Sequence, residues 1–213
     1  MAATPQTLSD LKGIWSGQTV WVVGSGPSLE TTPPEFYDDK QVVSINMSAF
    51  YYGIKRFVIA SNYSRHNDVM QKMCDEHPEY LMVTPDCDVG IANGEPTHPT
   101  LGNNLTFRPR WPVWNPAEGW PTDQDSLVVG GNSSAVAMHL AAYMGCAEMR
   151  LIGVDMGTIG GKSAYDGYIN FGVPPAFEGA MQQLRIVANR LRNDYGCEIL
   201  RFVGSSWERV ELD

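Results

Sequence analysis

Val20-Trp21-Val22-Val23-Gly24-Ser25-Gly26-Pro27-Ser28-Leu29 reads as a buried strand running straight into a glycine turn. The apolar run is short, β-branched and closed by glycine, which favours strand over helix. In a doubly wound α/β sheet the first strand-to-helix turn is where phosphates sit, because N–H groups of the turn form a concave anion site. Gly24, Ser25, Gly26, Pro27 and Ser28 are therefore candidates to hold a nucleotide phosphate. The usual G-x-G-x-x-G spacing is not met, since position 29 is Leu, and Pro27 contributes no N–H donor. No G-x-x-x-x-G-K-[ST] motif occurs. A tight structural turn without ligand fits the same residues.

Upstream, Leu8, Leu11, Ile14 and Trp15 recur at helical spacing, predicting a short amphipathic helix that stops at Gly17. Downstream, Gln41–Asn46 and Arg56–Asn62 read as further strands, each closing on an asparagine. The carboxyl edge of an open α/β sheet is the ligand-binding edge, so Asn46 and Asn62 are candidates to hydrogen-bond a base, ribose or phosphate. Asparagine is equally an ordinary turn residue. Asn67–Glu79 reads as a helix and Tyr80–Thr84 as a strand.

Residues 85–124 carry repeated Pro and Gly with Trp111, Trp114 and Trp120, and hold no helical or strand period. So long a loop in a compact domain suits a lid or binding segment. Its tryptophans either stack on a sugar or base or pack the insertion onto the core. Beyond it, Asn132 or Ser133 caps an Ala-rich helix that Gly145 ends. Ser133 and Ser134 at its start form a second candidate anion site. His139, in mid-helix, reads as a packing or solvated residue rather than a base. Met149–Asp155 is a strand closing on an acid, and Asp155 at the carboxyl edge suits ribose hydroxyls, loop orientation or Mg²⁺. The Gly-rich segment 157–168 offers Lys162, Tyr165 and Asp166. A helix over Phe177–Tyr195 and a strand over Glu198–Val203 complete the chain. This alternation predicts an α/β, Rossmann-like three-layer sandwich: a mostly parallel sheet with helices on both faces, and a long Trp/Pro-rich insertion over 85–124 in a single domain over 1–213.

The chain of 213 residues is 43% hydrophobic and 18% charged, with a formal net charge of -9. Without a basic cluster, nucleic acid and anionic membranes are disfavoured as partners. No apolar run approaches the ~20 residues of a membrane span, and the polar start lacks a signal-peptide core, so the expectation is a cytoplasmic protein. Cys74, Cys87, Cys146 and Cys197 form no C-x-x-C pair and read as buried free thiols; no metal site is expected.

The loop Val22-Val23-Gly24-Ser25-Gly26-Pro27-Ser28-Leu29, together with Ser133-Ser134-Ala135-Val136-Ala137-Met138 and Leu151-Ile152-Gly153-Val154-Asp155, resembles a group of Rossmann-like proteins with a Gly-Asn-Gly-Pro-Ser-Leu loop. The group includes glycosyltransferase family 42 (sialyltransferases using CMP-sialic acid), motility-associated glycosyltransferases and 6-hydroxymethylpterin pyrophosphokinase-like proteins. The resemblance covers both ends of the chain and skips the Trp-rich middle. It implies a nucleotide held between the Gly24–Leu29 loop, Asn46, Asn62 and the Ser133/Ser134 helix start. Ser25 stands where the group has the loop Asn that contacts the donor. The catalytic His that the sialyltransferases carry after the Gly-x-Asp strand has no counterpart, because no His follows His139. His66, His98, Asp155 and Asp166 remain as alternative bases. The resemblance implies a transferase using a CMP-type nucleotide-sugar donor, with a sugar or other hydroxyl compound as acceptor. A Mg²⁺-dependent pyrophosphokinase-type phosphotransferase and a nucleotide-binding protein without catalysis are the alternatives. The oligomeric state is open, a homo-oligomer included.

Overall fold

The computed structural model describes residues 5, 7–52, 57–59, 75–78, 81–85, 104–110, 112–113, 115–129, 133–164, 166 and 179–211. Among the described residues nine strands form one sheet: β1 (Thr19–Val23), β2 (Gln41–Ile45), β3 (Phe57–Ile59), β4 (Leu81–Pro85), β5 (Asn104–Arg110), β6 (Ser126–Val128), β7 (Glu148–Ile152), β8 (Glu198–Val203) and β9 (Ser206–Arg209). Their order is β6-β5-β4-β3-β2-β1-β7-β8-β9. Every pairing is parallel except β8 with β9. The sheet thus winds outward from β1 in one direction, returns, and continues from β7 in the other. The reversal falls between β1 and β7, which pair over Thr19↔Glu148 to Val23↔Ile152.

Helices α1 (Ala49–Tyr52), α2 (Ser133–Tyr143) and α3 (Ala180–Tyr195) accompany the sheet. Right-handed crossovers explain their placement. The β6-to-β7 and β7-to-β8 connections run opposite to the β1-to-β6 march, so α2 and α3 lie together on one face. All eleven residues of α2 are buried. They sit between the sheet residues Val20, Val22, Val43, Met149 and Leu151 and the Leu184, Val187 and Leu191 stripe of α3. On the other face Trp21 packs edge-on against Phe36 and Trp207, at 4.8 and 5.3 Å between ring centroids. The Arg150 guanidinium lies 5.4 Å from both tryptophan rings.

The helix expected over Leu8–Trp15 is instead a single 3-10 turn, Leu8–Leu11, followed by turns. Leu8, Leu11 and Trp15 are buried as the spacing implies, but Ile14 is exposed. The segment gives up helical hydrogen bonds to strap the end of α2. The N–H groups of Gly13, Trp15 and Gly17 donate to the carbonyls of Tyr143, Met144 and Gly145 at 3.2, 2.8 and 3.0 Å. Helix ends leave such carbonyls unpaired, and here another segment supplies the donors.

Residues 85–124 are not the period-free loop expected: Asn104–Arg110 is β5, in parallel register with β4. Leu105 and Phe107 point into the core while Thr106 and Arg108 face outward. Trp120 packs against the core with the Arg190 guanidinium 5.7 Å from its ring, so this tryptophan holds the insertion down. Trp111, Trp114, Tyr165 and nearly all of the Asn67–Glu79 helix lie outside the described residues. Among the described residues no helix is long and apolar enough to cross a membrane.

Candidate functional site

The carboxyl ends of β1 and β7 meet at the sheet reversal, where open α/β sheets bind ligands. Here two glycine loops lie face to face. Gly24 N–H donates to Ile152 O at 2.8 Å and Gly26 N–H to Gly153 O at 2.7 Å. A Cβ on Gly24 would lie 2.9 Å from the Gly153 carbonyl carbon and closer still to its oxygen. Gly153 has φ +64°, and a Cβ there would strike the Gly24 carbonyl in return. Glycine at both positions is what lets the two backbones approach.

Side chains complete the lock. Ser28 N–H donates to Asp155 Oδ2 at 3.0 Å, and the Ser28 hydroxyl oxygen accepts the Gly153 N–H at 2.9 Å. Leu29 N–H turns back to Gly26 O at 3.1 Å, closing the 3-10 turn Pro27–Thr31. The N–H groups of Gly24, Gly26, Ser28 and Leu29 are therefore spent inside the protein. The cradle of free amides expected of this loop does not form at these four positions. Ser25 is half-buried between the two glycines, and Pro27 is the buried first residue of the turn.

The neighbouring strand end is built differently. The Ser48 hydroxyl donates to Val23 O at 2.7 Å and accepts Ile45 N–H at 3.1 Å, tying the ends of β1 and β2 together. Asn46 follows with φ 49°, a left-handed backbone that asparagine tolerates better than most residues. This turn directs its amide to Ser133 at the start of α2, with Nδ2 donating to Oγ at 3.3 Å. The other amide atom, Oδ1, is buried and accepts no hydrogen bond among the described residues. Ser134, the next residue of α2, is buried as well.

The structure brings Gly24, Ser25, Gly26, Pro27, Ser28 and Asp155 together directly, and joins Asn46 to Ser133 beside them. Asp166 stands apart. Its N–H donates to Glu30 Oε1 at 2.5 Å, and its carboxylate accepts from Lys162 Nζ at 2.8 Å, on the exposed surface beyond the glycine loop. Asn62, His66 and His98 lie outside the described residues. His139 is a core residue: Nδ1 accepts Val128 N–H at 2.9 Å and Nε2 meets the Tyr195 hydroxyl at 2.9 Å. Because Nδ1 is the acceptor, the proton of the neutral ring sits on Nε2 and is donated to Tyr195. Burial pushes the His139 pKa down to about 4. Among the described residues no group of three His, Cys, Asp or Glu side chains is placed to hold a metal ion.

One residue absent from the sequence-level candidates reaches the site. Arg201, on β8, donates from Nη1 to Asp155 O at 3.0 Å. Its signal was a charge two residues from Ile199, on the strand face that Ile199 shares with the core.

The sheet order and the reversal-point crevice define a Rossmann-like α/β protein. In fold the chain is similar to "MAf glycosyltransferase from Magnetospirillum magneticum AMB-1", with a TM-score of 0.56 and 18% sequence identity. The match covers 87% of this chain and 34% of that one, so the chain spans about a third of that protein's length. No protein-family model matches the chain, and no curated protein does.

Proposed function

We propose that the chain is a nucleotide-binding transferase of glycosyltransferase type, which holds a nucleotide-activated sugar at the carboxyl edge of the sheet around β1, β2 and β7. The observation that carries this is the side-chain oxygen Oδ1 of Asn46, buried and without a donor among the described residues, at the strand end beside the sheet reversal. A buried amide oxygen left unpaired costs about 1–3 kcal/mol, which a ligand donor such as a base amino group or ribose hydroxyl recovers on binding. The likeness in fold to a protein named as a glycosyltransferase supports this choice of reaction class.

In this reading the interlocked loops form a rigid floor. Rigidity of that kind fixes donor and acceptor in register, and orientation alone is a large part of a transfer barrier. Asn46 and Ser133 contact the nucleoside, with Ser25 and Ser134 at the margins. Asp155 keeps Oδ2 on the Ser28 amide and has Oδ1 for a ligand hydroxyl. The nucleotide phosphate departs with the electron pair of the sugar–oxygen bond, while the acceptor hydroxyl loses its proton to a carboxylate or imidazole base.

The test is a thermal-shift panel of CMP, UMP, GDP and ATP, each with and without Mg²⁺, on the wild type and Asn46→Ala. A ligand at ~100 times its Kd adds about 2.7 kcal/mol of stability. The expected result is a shift with one nucleotide, indifferent to Mg²⁺ and lost in Asn46→Ala. A shift only with ATP and Mg²⁺ replaces the glycosyl reading with phosphotransfer. No shift with any nucleotide removes the nucleotide site.

A further inference from the structure

We propose that Arg201 is the phosphate-binding cation of this site; the inference rests on the nucleotide reading above and names the group that meets the anion. The interlocked loops pose the problem. Glycine turns usually hold phosphate with backbone N–H groups, but Gly24, Gly26, Ser28 and Leu29 all donate to oxygens of the protein itself. A phosphate at this edge needs charge from a side chain.

Arg201 is a cationic side chain hydrogen-bonded to that edge. Its strand lies next to β7 in the sheet, and its guanidinium reaches over the end of β7 to the Asp155 carbonyl. Asp155 in turn holds the amide of Ser28, so one residue separates Arg201 from the glycine turn. A guanidinium carries five N–H donors in a planar fork, and the Asp155 bond takes one of them. Its side chain is partly buried. It makes no ion pair within 4.0 Å among the described residues, although most of the chain's other arginines at described positions do.

The surrounding charges are mixed. Glu208 stands opposite Arg201 in the β8–β9 ladder, and Asp155 lies beyond its carbonyl; both favour the cation, while Arg185 of α3 opposes it. Burial is the larger influence and draws the Arg201 pKa below its ordinary value. A partly desolvated cation without a carboxylate partner is costly, and an anionic ligand relieves that cost. The guanidinium fork matches two phosphate oxygens at once, a geometry that a lysine in the same place would not reproduce.

The experiment is calorimetric titration of CMP, cytidine and inorganic pyrophosphate into the wild type, Arg201→Gln and Arg201→Lys. Both variants keep a donor for the Asp155 carbonyl, and their melting temperatures establish that they fold. The expected result is a loss of about tenfold or more in CMP affinity for Arg201→Gln, a smaller loss for Arg201→Lys, and cytidine binding unchanged within about twofold. Equal losses for CMP and cytidine overturn the proposal, because Arg201 then only holds the Asp155 loop. Unchanged CMP binding in both variants overturns it while leaving the nucleotide site standing. Pyrophosphate binding that depends on Arg201, with no binding of CMP, supports the anion role and removes the CMP donor. A wild type that binds neither CMP nor pyrophosphate overturns both.

Discussion

Replacing Gly24 by alanine tests the loop-to-loop lock most directly. Its backbone φ is not left-handed, so the new methyl group brings no conformational strain of its own. The whole penalty is steric: the added Cβ meets the Gly153 carbonyl carbon at 2.9 Å and Val154 Cγ2 at 3.1 Å, with the carbonyl oxygen nearer still. The loops must separate, which disrupts the bonds from Gly24 N–H to Ile152 O and from Gly26 N–H to Gly153 O. Forced repacking costs about 1–3 kcal/mol, and two hydrogen bonds add about 1 kcal/mol each, for a total of about 4 kcal/mol. At about 2–4 °C per kcal/mol for a chain of this size, Tm falls by about 8–16 °C. Gly119→Ala is the control, since Gly119 has φ +72° and a methyl group added there meets nothing within 4 Å. Strain alone costs about 1–3 kcal/mol at that position, where φ 72° and ψ 162° lie in a region kept almost entirely to glycine, or roughly 2–12 °C. Calorimetric melting of the two variants beside wild type decides the matter. A Gly24→Ala protein that melts within about 2 °C of wild type, a loss of roughly 1 kcal/mol or less, refutes the interlocked geometry.

Three further outcomes follow from other parts of the molecule. Ser28→Ala leaves the Gly153 N–H without its acceptor and lowers stability by about 1–3 kcal/mol, read as a shift of the urea midpoint at unchanged slope. His139 has a folded pKa of about 4 against an ordinary 6.5, so the unfolded chain takes up its proton first as pH falls. Its contribution is complete above pH 6.5 and is lost on the way down to about 4, on the order of 3 kcal/mol in all. Urea titrations from pH 7.5 to 4.5 show a shallower dependence of stability on pH for His139→Asn than for wild type. Cys146 and Cys197 are both buried with their sulfurs 3.0 Å apart, and the neighbouring thiol together with burial raises the Cys146 pKa. Peptide-resolved iodoacetamide labelling of the native protein at pH 8 leaves Cys146 unreacted, and labels it fully in urea.

The central strands are legible because they are buried on both faces. Val20–Val23 and Val42–Ile45 are largely β-branched or apolar runs ended by glycine or polar residues, the pattern of parallel strands. Helix α2 is visible through its ends rather than its period, since every side chain along it is buried. β5 was hidden by Pro109, which normally argues against a strand although Leu105 and Phe107 alternate correctly. β6 has three residues and β9 four, too few to establish a period. At the site, residue types were legible and their obligations were not. Ser28 looks like a cap, yet its hydroxyl and amide serve Gly153 and Asp155, more than a hundred residues away. Only the pairing of β1 with β7 reveals that the glycine amides are already spoken for.

That pairing has a consequence for how the chain is made. β1 sits in the interior of the finished sheet, and its partner β7 is synthesised roughly 130 residues after it. Closing a loop of that length costs about 4 kcal/mol in chain entropy before any contact repays it. A nascent chain that has assembled β1 to β6 carries β1 as a bare apolar edge, and open edges of this kind recruit other chains. Emergence of Glu148–Ile152 from the ribosome ends that exposure, and the same event seats Gly153 and Asp155 against the first glycine turn. The molecule therefore acquires its crevice and its protection from aggregation in one folding step.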